Sequence, residues 1–146
     1  ASENRMRKMS ERRYGEYLKY CLPKQWVAEE EGDMLVLYHP RGNGAMVLSF
    51  FSLFEAEQPL DKRVSIFAKK FIDGNGIITE DPLLLFEKDG KTVLQGEGMT
   101  DDKAYVKFWV VAKYPKLILA TYDSEKKNKE ERACDAVIDS FRFSFR

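Results

Sequence analysis

The chain has 146 residues, with 24 Lys and Arg set against 24 Asp and Glu, so its formal net charge is zero. A nucleic-acid binder of the simple polyelectrolyte kind needs surplus cations to neutralise phosphates, and that class is excluded. A hydrophobic content of 44% that includes 10 Phe, 7 Tyr and 2 Trp supplies a core, excludes disorder and fits one domain.

The balance is uneven along the chain. Residues 73–102 hold 2 basic and 8 acidic groups, whereas residues 103–146 hold 10 basic and 6 acidic. Such separated charge can orient a partner. No apolar run approaches the roughly 20 residues that span a bilayer, so no transmembrane segment is expected. The N-terminus lacks the apolar stretch of a signal peptide, and a cytoplasmic location is expected. Cys21 and Cys134 are too few for a disulfide scaffold and fit no zinc spacing; they read as free thiols, with a single Cys21–Cys134 bridge as the other reading.

In chain order, residues 1–16 form a charged extension, expected to be loose or a short amphipathic helix using Met6, Met9 and Arg13 or Tyr14. A single domain spans residues 17–146. Tyr17–Leu22 reads as a strand ending at Pro23. Glu29-Glu30-Glu31-Gly32-Asp33 reads as an acidic turn before the strand Met34–Tyr38, and His39–Gly44 as a second turn before the strand Ala45–Leu53. Leu60, Val64, Phe67, Ala68 and Phe71 make one helical stripe, with Pro59 at its start and Gly74 as its left-handed exit. Leu83–Lys88 and Lys91–Gln95 flank Asp89-Gly90, a strong hairpin signal. Residues 104–112 alternate, with Ala104, Val106, Phe108, Val110 and Ala112 on one face and Tyr105, Lys107, Trp109 and Val111 on the other. Leu117–Tyr122 is a further strand. A last helix is expected from Asp123-Ser124, its first turns wholly polar and overhanging the sheet, its second half burying Cys134, Val137, Ile138 and Phe141. Phe141–Phe145 closes the chain as a strand. The class is α+β: an antiparallel sheet of six to eight strands with one inserted and one C-terminal helix.

The chemistry-bearing motifs are few. Asp73-Gly74-Asn75-Gly76 echoes a calcium loop, but the first and last ligand positions then fall on Phe71 and Pro82, which offer no side-chain oxygen. The motif reads as a helix exit. His39 is the only imidazole and reads as a turn residue; a hydrolase would have to use it beside a Ser or Cys. Arg41-Gly42-Asn43-Gly44 lacks the lysine and the helix of a phosphate loop. No catalytic residue, metal ligand or cofactor is assigned. Tyr105, Lys107 and Trp109 form an aromatic face that is core if both sheet faces are covered, and a partner platform if only one is. With Tyr38 and Arg41 they are the candidate partner-binding set.

The order of elements resembles the PsbP-like superfamily, DcrB-type proteins included. The similar features are a tyrosine-bearing strand into Leu22-Pro23 with Trp26 beyond it, a strand pair, an inserted helix, a hairpin meander, and a helix leaving through Ile138-Asp139-Ser140-Phe141-Arg142-Phe143. The resemblance covers roughly residues 17–145 and implies helices on both sheet faces. It also implies a non-enzymatic bacterial protein that binds another protein as an adaptor or chaperone. The other reading is a small-molecule or lipid-binding domain, with a His39 hydrolase behind it.

Overall fold

A computed structural model describes residues 9–145. Its elements in chain order are β1 (Met9–Tyr14), β2 (Leu18–Pro23), β3 (Val27–Glu31), β4 (Met34–Tyr38), β5 (Gly44–Ser52), α1 (Leu60–Gly74), β6 (Ile78–Thr79), β7 (Leu84–Lys88), β8 (Lys91–Met99), β9 (Tyr105–Lys113), β10 (Lys116–Ser124), α2 (Glu130–Asp139) and β11 (Arg142–Phe143). The turns set the pairing. Asp89 and Gly90 take φ of 52° and 77°, the two positive angles of a type I′ turn, and fold β7 back on β8. The resulting antiparallel sheet has eight strands in the order β3-β4-β5-β10-β9-β8-β6, with β7 pairing β8 beside β6. A second sheet has the order β1-β2-β11.

The alternation of β9 divides the core in two. Val106, Phe108, Val110 and Ala112 meet Val64 and Ala68 of α1 on one face. Trp109 and Val111 meet Leu18, Tyr20 and Leu22 of β2 and Cys134, Val137 and Ile138 of α2 on the other. Both faces of the main sheet are therefore covered, one by a helix, the other by a helix together with a small sheet. Among the described residues no helix is long and apolar enough to cross a membrane.

Four local expectations are corrected. Met9–Tyr14 is a strand in antiparallel register with β2 rather than a helix or a loose segment; Met6 lies outside the described residues. Pairing with β2 satisfies backbone groups that a loose segment would leave to water. Glu29–Glu31 belongs to β3, and the turn is confined to Gly32, at φ 61°, and Asp33. The left-handed helix exit is Gly76, at φ 61°, not Gly74, which closes α1 in helical conformation. The last helix starts at Glu130, not Asp123-Ser124, because β10 runs on to Ser124 along β5 and β9. The polar run that follows is a loop. Within it the Asn128 Oδ1 accepts from Glu130 N–H at 2.8 Å, which satisfies a donor at the helix start.

Two glycines separate backbone strain from crowding, since a Cβ at Gly90 or at Gly74 would meet no atom within 4 Å. Gly90→Ala is expected to cost about 1 kcal/mol, because only the positive φ resists it. Gly74→Ala is expected to stabilise by about 0.5 kcal/mol, because it restricts the unfolded chain at a helical position. Urea titration of both variants reads the opposite signs.

Candidate functional site

The structure keeps Tyr105, Lys107 and Trp109 together on one face of β9 and places Tyr38 and Arg41 elsewhere. Trp109 is 1% exposed and Tyr105 is 8% exposed, so neither forms a platform; α2 and the small sheet lie over that face. Lys107 lies under α2, its Nζ 3.0 Å from Asp135 Oδ1 and 5.4 Å from the centre of the Trp109 ring. Tyr38 is three strand spacings from β9, about 14 Å away along the sheet. Its hydroxyl donates to Glu29 Oε1 at 2.7 Å, and that bond is the first cause holding the phenol above its ordinary pKa. Arg41 is exposed in the β4–β5 turn, where its N–H donates to His39 Nδ1 at 2.9 Å. His39 is thus a turn residue bonded to backbone. Cys21 and Cys134 are both free. Burial pushes the Cys134 thiol well above its ordinary pKa, the opposite of an activated nucleophile.

The side chains of β8, β9 and α2 build a polar seam beside the aromatic core. The Tyr105 hydroxyl lies 2.5 Å from Glu97 Oε2 and 2.8 Å from Glu131 Oε2. Lys127 bonds Glu97 at 3.0 Å and lies 3.7 Å from Glu131. Burial raises the Tyr105 pKa first, and both carboxylates raise it further, so the phenol keeps its proton. Burial also pushes the Glu97 carboxyl up, but the bonds from Tyr105 and Lys127 outweigh it and hold the group below 4.5. A second anchor stands next to it in α2's first turn. Glu130 Oε1 accepts from Tyr122 O–H at 2.6 Å and from the backbone N–H of Asn43 and Gly44 at 3.0 and 3.1 Å. The polar start of α2, read from sequence as an overhang, instead ties the helix to the sheet.

The unusual surface is β7. Among the described residues it pairs with β8 alone, and every one of its residues is exposed. Leu84, Leu85 and Phe86 are 56%, 45% and 38% exposed. Residues that flank a two-residue hairpin turn form a hydrogen-bonded pair. Lys88, Phe86 and Leu84 therefore bond inward to Lys91, Val93 and Gln95, and Leu85 and Glu87 turn their N–H and C=O groups outward. The other end of the main sheet is different: β3 carries Glu29, Glu30 and Glu31, charges that discourage pairing.

Beside β7 runs a trough with α2 as its far bank. A cavity of about 340 Å³ over Pro82, Leu84, Gln95 and Glu97 adjoins one of about 250 Å³ over Phe86, Val93, Gln95, Trp109 and Ile138. A third, of about 230 Å³, continues past Lys91 and Asp139 to Lys113 and Arg142. Sequence reasoning missed this site: Leu83-Leu84-Leu85-Phe86 has the pattern of a buried strand, and only the absence of a neighbour makes it a surface.

No protein-family model matches the chain, and no curated protein matches it in sequence. Among solved structures it is similar to cyanobacterial PsbP (CyanoP) from Synechocystis sp. PCC 6803, with a TM-score of 0.66 and 13% identity, covering 94% of this chain and 93% of that one. It is also similar to a crystal structure from Bacteroides thetaiotaomicron VPI-5482, with a TM-score of 0.52 and 14% identity, covering 88% of this chain and 46% of that one. The fold is PsbP-like, an α+β domain built on an antiparallel sheet.

Two predictions follow from burial and charge. Trp109→Ala is expected to cost about 3–5 kcal/mol in chemical denaturation, the range for a large core aromatic; a surface residue would cost almost nothing. Glu97 is held below its ordinary pKa, so its contribution is present above about pH 4.5 and is lost as pH falls. Thermal melts of Glu97→Gln should therefore lose less stability than the native chain on acidification from about pH 5 to about pH 3.

Proposed function

We propose that the chain is a binding protein rather than an enzyme, and that it captures an extended segment of another polypeptide along β7, as an adaptor or chaperone does. The observation that carries this reading is the open apolar edge of β7, set against the charged edge of β3 in the same sheet. Strand addition draws affinity from backbone bonds and specificity from alternate side chains. Leu85 and Glu87 offer four outward groups, and four bonds at about 1 kcal/mol each amount to roughly millimolar affinity. The exposed Leu84 and Phe86 supply further apolar contact on the trough side, and Leu85 on the α1 side. The partner is thus a segment with apolar residues at alternating positions. The two free thiols support a reducing, cytoplasmic setting.

Glu87→Pro tests the reading without disturbing the fold. The substitution deletes an outward N–H, which an edge strand tolerates. An acetylated and amidated peptide of alternating Val and Thr is the probe. Fluorescence anisotropy should show at least about tenfold weaker binding to Glu87→Pro, with an unchanged circular dichroism spectrum. Equal binding by both proteins would place the contact elsewhere.

A further inference from the structure

One charged side chain in the trough is buried without a counter-ion. Lys91 is 5% exposed, and its Nζ donates to the Phe141 carbonyl oxygen at 2.5 Å. Among the described residues that oxygen is its one acceptor, and no carboxylate lies within 4 Å. An ammonium has three N–H donors, and burying it is costly unless they and its charge are matched. Burial accordingly drives its pKa down, with partial compensation from Asp89 and Asp139. Lys91 also stands where two of the trough's cavities meet. Around it Lys88, Lys113 and Arg142 face Asp89, Asp135 and Asp139, of which Asp135 is engaged by Lys107 at 3.0 Å and Asp139 by Lys88 at 3.3 Å. The opposite end of the trough carries Asp81 and Glu97 with Lys107. Counted with Lys91, the lining holds one more cation than anions at the hairpin end and one more anion than cations at the other.

We propose that the segment captured on β7 carries a glutamate at the hairpin end, and that its carboxylate pairs with Lys91 Nζ. The proposal rests on the edge-capture reading above and adds the partner's chemistry to it. The geometry permits it. Lys88 and Lys91 are cross-strand partners with side chains on one face, so a residue added opposite Lys88 lies two strand spacings from Lys91, about 9.6 Å. A glutamate and a lysine side chain together span that distance. The carboxylate would fill a donor position that the protein itself leaves open, in surroundings where a charged bond is strong.

The test uses two acetylated, amidated Val-Thr peptides, one with Glu at both ends and one with Gln. The Glu peptide is expected to bind the native chain about tenfold more tightly at low salt. In Lys91→Met the two peptides should bind alike. In the native chain, the ammonium resonance of Lys91 should shift with the Glu peptide and not with the Gln peptide, a readout that needs no variant to fold. Equal binding of the two peptides to the native chain, or a Glu preference that survives in Lys91→Met, overturns the Lys91 assignment and leaves edge capture standing. Binding of neither peptide overturns both.

Discussion

The rest of the molecule depends on the burial of β9 on both faces. Phe108 and Val110 point to α1, and Trp109 and Val111 point to β2 and α2, all at most 1% exposed. A strand in this position is central by necessity, since each face needs its own cover. Once both covers are in place the centre of the main sheet has no free face, and its exposed parts lie at its ends, β7 among them. One edge, β3, is charged. The other presents Leu84, Leu85 and Phe86 with outward backbone groups, so among the described residues the two edges of the main sheet differ, one charged and one apolar.

The polar seam explains how the second cover stays in register. Tyr105 and Tyr122 lie on the α2 face of neighbouring strands, and each hydroxyl meets a glutamate from the first turn of α2. Lys107 holds Asp135 one turn further on. The helix is thereby pinned along its length by charge-assisted bonds, while its Cys134, Val137 and Ile138 fill the core. The seam also fixes the bank of the trough opposite β7, so stability and the shape of the candidate site share the same residues. The hydroxyl that strengthens the fold is consumed by it and is not offered to a ligand.

Much of this architecture was legible from residue order. The Asp89-Gly90 hairpin, the stripe of α1 and the two faces of β9 follow from local rules, and each took the predicted form. The role of the second face did not follow, because alternation shows which residues share a face but not what covers it. Its cover comes from residues 18–23 and 134–143, distant in the chain and joined only by the fold. Whether Tyr105 and Trp109 are core or platform therefore turned on whether β2 and α2 cover that face. The exposure of β7 was hidden for the same reason: a run of Leu and Phe looks buried, and only a missing neighbour exposes it. Lys91 carried no signal at all, since its burial is set by Phe141 some fifty residues away.

The central claim is that β7 is the pairing edge, and amide hydrogen exchange tests it most directly. In the free protein the N–H groups of Leu85 and Glu87 should exchange quickly, while the inward N–H of Phe86 is protected by β8. With the Val-Thr peptide at saturation, the Leu85 and Glu87 amides should become protected and those of β3 should not change. Protection that appears along β3, or on neither edge, would contradict the account.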